Sequence, residues 1–157
     1  MDKSIEIDTF NRFSQVSRET IVSLKEFEKV LLESNNSMNL ISRTTIDQVW
    51  HRHILDSFQV IDYIDKLDNE ITDIGSGAGF PGLILAIAAK DKKIPLKVKL
   101  IEKSSKKTKF LNKVIQRLDL NVEVVCKNIF DGNRKMSSDI FVARAFKPLP
   151  IILKLIH

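Results

Sequence analysis

Gly75, Gly77 and Gly79 alternate between a short β-type run, Ile71–Ile74, and an apolar helix-forming stretch that starts at Gly82. Glycine lets the backbone bend sharply and lets a ligand come close to bare N–H groups. A strand–loop–helix unit of this kind places the loop at the carboxyl edge of a sheet, where nucleotide-like ligands bind. Plain tight βα connections also use such glycines, so the loop alone leaves both readings open. From Glu70 onward the same alternation continues. Strands are predicted at Ile71–Ile74, Lys97–Ile101, Val122–Cys126 and Ile140–Ala143, with helices at Gly82–Lys90 and Ser104–Leu118. Alternation at this spacing predicts βαβ units, and hence an α/β fold with a mostly parallel, Rossmann-like sheet.

Ahead of Glu70 the period is helical. Ile21, Leu24, Phe27, Val30 and Leu31 share one face of a predicted helix over Ser17–Leu32, ended by Asn35-Asn36-Ser37. Val49, Trp50, Ile54, Leu55, Phe58 and Ile61 mark a second helix over Ile46–Ile64, with Thr44 or Thr45 as N-cap. The chain therefore divides into an N-terminal helical cap, 1–69, and a Rossmann-like core, 70–157, forming one compact unit. Its 157 residues suffice for one core without covalent staples. The single cysteine, Cys126, excludes an internal disulfide and reads as a buried small hydrophobe. Leu83–Ala89, the longest uninterrupted apolar run, is far shorter than a membrane span, and Met1-Asp2-Lys3-Ser4 carries no signal-like apolar region. Together these predict a soluble, cytoplasmic protein without a membrane partner.

The third glycine discriminates between cofactors. A dinucleotide fingerprint, G-x-G-x-x-G, needs glycine at 80, where this chain has Phe80. The observed G-x-G-x-G preceded by Asp73 resembles the first motif of S-adenosylmethionine (SAM) methyltransferases. Glu102 closes the second strand, where an acid can accept hydrogen bonds from both ribose hydroxyls; an ordinary surface carboxylate is the alternative. Ile129 and Phe130 follow the third strand, where apolar side chains can sandwich an adenine or simply pack. Charge is uneven. Residues 1–70 carry 8 Lys/Arg against 13 Asp/Glu, whereas residues 90–117 carry 11 against 2. A basic block beside a cofactor loop fits a phosphate-rich partner as well as it fits solvated helix faces. In the helix Ser104–Leu118, Phe110, Leu111, Val114, Ile115 and Leu118 face inward, leaving Lys106, Lys109, Lys113 and Arg117 towards water.

The order of motifs resembles the small-subunit (16S) rRNA guanine-N7 methyltransferases, the glucose-inhibited division protein B family. The resemblance rests on Asn35-x-x-x-Asn39-Leu40-Ile41, His53-Ile-Leu-Asp56-Ser57 and Asp73-Ile-Gly-Ser-Gly-Ala-Gly-Phe-Pro-Gly82. It continues through Lys106-Lys107-x-x-Phe110-Leu111 and Asp139-Ile-Phe-Val-Ala-Arg144-Ala145-Phe146. It implies a class I methyltransferase fold and methylation of one guanine N7 in the decoding-region loop of 16S rRNA. By position, Asp73, Gly75, Ser76, Gly77, Gly79, Phe80 and Glu102 would form the SAM site, with Ile129 and Phe130 beside the adenine. Arg144 would lie near cofactor and target, and Lys106, Lys107 and Lys147 would join it on RNA. The partner would be 16S rRNA or the small subunit, met by a monomer. Two local departures stand out: Ser34-Asn35 replaces the family's Trp-Asn, and Asn128-Ile129-Phe130 replaces Arg-x-Glu, removing a side-chain acceptor for adenine. Members also continue for several more elements past the fourth strand. The chain therefore resembles a C-terminally truncated member, with a short helix over Pro148–Ile156 and the fourth strand as an open edge.

Guanine N7 is an unprotonated lone-pair acceptor, so the reaction needs positioning and no general base, and no catalytic residue is assigned. Arg144 suits a phosphate or the cofactor carboxylate. His53 and Asp56, one turn apart, are expected to form a hydrogen-bonded pair tying cap to sheet. Three alternatives remain at this stage: an inactive relative that binds RNA or subunits without turnover, a methyltransferase for protein or small molecules, and an NAD-dependent oxidoreductase. No metal ligands are expected.

Overall fold

A computed structural model describes every residue except 1, 66, 132–135 and 157. Four strands, β1 (Glu70–Ile74), β2 (Lys97–Glu102), β3 (Val122–Cys126) and β4 (Ile140–Val142), form one sheet in the order β3-β2-β1-β4. All three pairings are parallel, with Ile71 opposite both Val98 and Ile140. Chain order runs outward from β1 through β2 to β3 and then jumps to β4 on the other side of β1. That reversal is a topological switch point, and the crevice beyond the carboxyl ends of β1 and β4 is where such sheets bind ligands. β1 is buried on both faces from Ile71 to Ile74, as a central parallel strand requires.

Helix α4 (Gly82–Asp91) carries the apolar run noted above, and every residue from Gly82 to Ala89 is buried. A helix apolar all round must be covered all round. The sheet covers one side, and the helical cap, through α2 (Arg18–Met38) and α3 (Asp56–Phe58), covers the other. Helix α5 (Ser105–Leu118) is N-capped by Ser104, whose Oγ accepts from Lys107 N at 3.4 Å. It buries Phe110, Leu111 and Val114 as predicted, while Ile115 and Leu118 stay half-buried. A last helix, α6 (Leu149–Ile156), follows β4.

The cap departs from the sequence reading in three ways. A helix that the periodicity did not announce, α1 (Lys3–Ser14), buries Phe10 edge-on against Trp50 and Phe58. Helix α2 runs through Asn35-Asn36-Ser37 to Met38 and stops only at Asn39, which is left-handed at φ 49°. Asn35 does not break it because its buried Oδ1 reaches forward along the chain to accept Ile41 N at 2.8 Å. The third departure is over 46–64, where the expected single α-helix is replaced by a 3₁₀ turn at Arg43–Gln48, a π-helical segment at Trp50–Leu55, α3, and a further 3₁₀ turn at Gln59–Tyr63. Its N-cap is Ser42, whose Oγ accepts from Thr44 N at 3.3 Å.

Cap and core are fastened by polar contacts as well. Asp91 at the end of α4 accepts from Thr20 Oγ1 at 2.6 Å and from Ser17 N at 3.0 Å. Arg117 of α5 pairs with Glu26 of α2. Cys126 is exposed, not buried as expected, because it ends β3 at the edge of the sheet. Among the described residues, no helix is long and apolar enough to cross a membrane, and no cluster of His, Cys, Asp and Glu is arranged to hold a metal.

Candidate functional site

The loop after β1 spends most of its backbone donors within the protein. Gly75 N and Ser76 N both donate to Ile101 O, at 2.9 and 3.1 Å, and Gly77 N donates to Glu102 Oε2 at 2.9 Å. Gly79 N donates to Ser76 O at 2.7 Å. The start of α4 is spent likewise: Gly82 N donates to Asp73 Oδ2 at 2.9 Å and Leu83 N to Gly79 O at 2.7 Å. A pyrophosphate bound at a helix N-terminus needs free donors there. These donors are committed, contrary to the bare N–H groups expected from the glycines, so the loop offers shape in place of phosphate-binding amides.

That shape is set by left-handed backbone at Gly75, Gly77 and Gly79, with φ of 72°, 56° and 87°. The glycines differ in what their missing side chains leave room for. A Cβ on Gly79 would fall 2.4 Å from Leu83 Cδ1, so its bareness serves close helix contact. A Cβ on Gly77 would meet nothing nearer than Gly75 O at 3.8 Å. Gly77 is the glycine that opens onto free space.

The free space is a cleft of about 580 Å³ at the switch point, within the range of small-molecule sites. Of the residues singled out in the sequence, Gly75, Ser76, Gly77, Phe80, Glu102, Ile129, Phe130, Arg144, Lys107 and Lys147 line it. Asp73, Gly79 and Lys106 do not. Asp73 is fully buried beneath the loop, Gly79 is packed on Leu83, and Lys106 points to solvent from α5. Asp73 and Gly79 therefore brace the site from behind.

Glu102 is itself nearly buried, with Oε2 on Gly77 N and Oε1 accepting Ser104 N at 2.8 Å. Each carboxylate oxygen retains a second lone pair, so Glu102 can hold the loop and still accept from a ligand hydroxyl. Phe130 stands 46% exposed at the β3 end, nearly parallel to Phe146 with centroids 6.0 Å apart.

The cap supplies a wall that the sequence did not announce: Leu40, Ile41, Ser42 and His53 also face the cleft. The one signal for Leu40, Ile41 and His53 was their place in the Asn39-Leu40-Ile41 and His53-Ile-Leu-Asp56 motifs, and Ser42 had none. His53 and Asp56 do not bond to each other as expected. His53 Nε2 pairs with Thr45 Oγ1 at 2.9 Å and its ring stacks on Phe80, while Asp56 lies 3.4 Å from Arg144 Nη2. Arg144 Nη2 also donates to Arg52 O at 2.8 Å, and its guanidinium lies over the Phe80 ring at 5.8 Å. Its Nη1 is buried without a partner.

Burial pushes the Asp73 carboxyl up to about 7, against the opposing hydrogen bond from Gly82 N. Burial and then the neighbouring Arg144 charge push His53 down to about 4, so its imidazole is neutral at physiological pH. The cleft rim is basic: Lys103, Lys107, Lys127, Arg144 and Lys147 line it against the lone carboxylate of Glu102.

Comparison with known proteins agrees with this geometry. The family model described as "GidB: rRNA small subunit methyltransferase G" matches residues 20–157. Ribosomal RNA small subunit methyltransferase G of Pelagibacter ubique is 47% identical over 144 residues, covering 90% of this chain and 67% of that protein. Its counterpart in Orientia tsutsugamushi (strain Ikeda) is 40% identical, covering 93% and 70%. The crystal structure of coclaurine N-methyltransferase bound to N-methylheliamine and SAH covers 89% of this chain and 48% of that one, at 15% identity. Its TM-score of 0.49 is too slight to carry an argument. The parallel switch-point sheet and the match over most of the chain place the protein in one group: it belongs to the rRNA small subunit methyltransferase G (GidB) family, with a class I, Rossmann-like methyltransferase fold.

Proposed function

We propose that this cleft binds SAM and that the protein transfers its methyl group to N7 of a guanine in the decoding-region loop of 16S rRNA. SAM is the cofactor of the family, and the residues present fit it. The open face of Gly77 leaves room for a ligand against the backbone, and the unpartnered Nη1 of Arg144 suits a carboxylate or a phosphate. Glu102 is placed to accept from ribose hydroxyls, and Ile129 with Phe130 flanks the adenine. The observation that carries the reading is the commitment to the protein of the N–H groups of Gly75, Ser76, Gly77 and Gly79 in the loop and of Gly82 and Leu83 at the start of α4. It leaves a surface suited to a phosphate-free ribosyl and methionyl group and poor for a pyrophosphate, which sets the oxidoreductase alternative aside.

SAM supplies an electrophilic methyl on a sulfonium. The acceptor N7 carries a lone pair and no proton, so the residues here need neither take nor give one. Their work is to fix the reactants in line, worth up to roughly 7–11 kcal/mol in well-aligned systems. His53, neutral and stacked on Phe80, adds no charge of its own to the cap wall of the cleft. The basic rim of Lys103, Lys107, Lys127 and Lys147 attracts the phosphates of the acceptor strand. Lys106, one position before Lys107 on α5, extends that surface outward.

Calorimetry with SAM tests the cofactor half. Wild-type protein is expected to bind and Gly77→Val to lose at least about tenfold in affinity, since the new side chain enters the open face; unchanged affinity sinks the loop assignment. Transfer of labelled methyl to undermodified small subunits, followed by mapping of the modified base, tests the target half. Salt-sensitive RNA binding without transfer would support the non-catalytic alternative.

A further inference from the structure

Gly75 lies in the glycine loop yet differs from Gly77 in what covers it. A Cβ built on Gly75 would fall 2.2 Å from Phe146 Cδ2 and 2.9 Å from two more atoms of that ring. The Phe146 ring therefore lies directly on the loop, on the floor of the cleft. It is half-buried there, with its other neighbour the near-parallel ring of Phe130 across the cleft. The residue that aims it inward is Ala145, exposed and left-handed at φ 50°, a conformation that costs an L-residue free energy. One residue further back, Arg144 is anchored to the cap through Arg52 O and Asp56. Phe80, the third aromatic of the cleft, is not comparable: it is buried, with His53 and Arg144 on its ring and Phe27 at its edge.

We infer that Phe146 is a gate on the cofactor site, lying over Gly75 and swinging off the loop to admit SAM. This inference rests on the cofactor reading above, because it is the methionyl or ribosyl group against Gly75 that the ring excludes. A ligand that needs the ring displaced binds with an affinity reduced by the fraction of protein already open. Three features suit Phe146 to the role. The ring is only half-buried; its backbone hinge at Ala145 gives up strain on rotation; and Arg144, just before that hinge, is pinned, so movement is confined to the short segment that carries the ring. Gly75 is then required twice, once for its left-handed backbone and once so that the closed ring has somewhere to lie.

The test uses S-adenosylhomocysteine as probe and four variants of the full chain. Phe146→Ala is expected to tighten binding about 3- to 30-fold and to raise the association rate, because the closed form is lost; Phe146→Leu should fall between it and wild type. Phe130→Ala, which removes a wall, should weaken binding instead. Phe146→Trp supplies a motion readout, since the native Trp50 is fully buried and away from the cleft mouth. Its emission should shift to the red on ligand addition as the indole leaves the loop for water. Weaker or unchanged affinity in Phe146→Ala, or an emission that does not move, overturns the gate while leaving SAM binding intact. Failure of wild type and Phe146→Ala alike to bind overturns the cofactor reading itself.

Discussion

Asp73 and His53 flank the glycine loop from below and from the cap, and their titrations oppose each other. Asp73 holds its proton up to about 7 in the folded protein against 3.8 for an ordinary aspartate. Its contribution to stability is full below the unfolded value and is lost as pH rises through the folded one. His53 is the reverse case, with a folded value near 4 against 6.5. It contributes fully above the unfolded value and loses that contribution as pH falls towards the folded one. Between about pH 4 and 6.5, folding takes up a proton at one group and releases one at the other, so their slopes offset. Urea titrations across this window should show the cancellation by breaking it. Asp73→Asn keeps the acceptor for Gly82 N and should leave a stability that climbs with pH. His53→Gln should leave one that declines as pH rises to about 7. Parallel pH curves for both variants and wild type would contradict the assignment.

At the level of elements, α1 shows what periodicity can miss. Its apolar residues Ile5, Ile7, Phe10 and Phe13 are few, and Ile5 and Phe13 remain exposed while Glu6 is buried. The stripe that announces an amphipathic helix is therefore blurred, although Phe10 sits in the aromatic centre of the cap. Phe10→Ala is expected to cost about 3–5 kcal/mol in urea unfolding, the range for a fully buried phenylalanine; a loss under about 1 kcal/mol would show that α1 is an ornament of the cap. The βα core was legible because each run there has one period and a plain boundary: β3 and the start of α4 fall where the residues put them. The stretch 43–63 was not, since over so few residues an apolar pattern of threes and fours fits a continuous α-helix as well as short 3₁₀ and π turns in succession. Asn35 misled for a related reason. A turn-forming side chain can bond forward to Ile41 and leave the helix intact, a tertiary choice that composition does not record. In the site, Gly77 and Glu102 were readable as a local pattern, while Phe146 over Gly75 and His53 on Phe80 join residues distant in sequence.

Across the whole molecule, charge and topology converge on one crevice. The switch point between β1 and β4 fixes where the cleft opens, and the basic residues after β2, β3 and β4 gather on its rim. The acidic first half of the chain meets this basic rim through the uncharged side chains of Leu40, Ile41, Ser42 and His53, and through Asp56, which pairs with Arg144. A second consequence follows from the burial of α4 on every side by sheet and cap together. Its backbone amides can meet solvent only when the two halves part, so their exchange with deuterium keeps time for the entire fold. Amides of α4 should exchange at the rate of global unfolding, and in step with those of β1. The rim of the cleft should exchange orders of magnitude sooner. If α4 instead exchanged ahead of β1, the cap would be opening by itself, and the clock would be reading the cap alone.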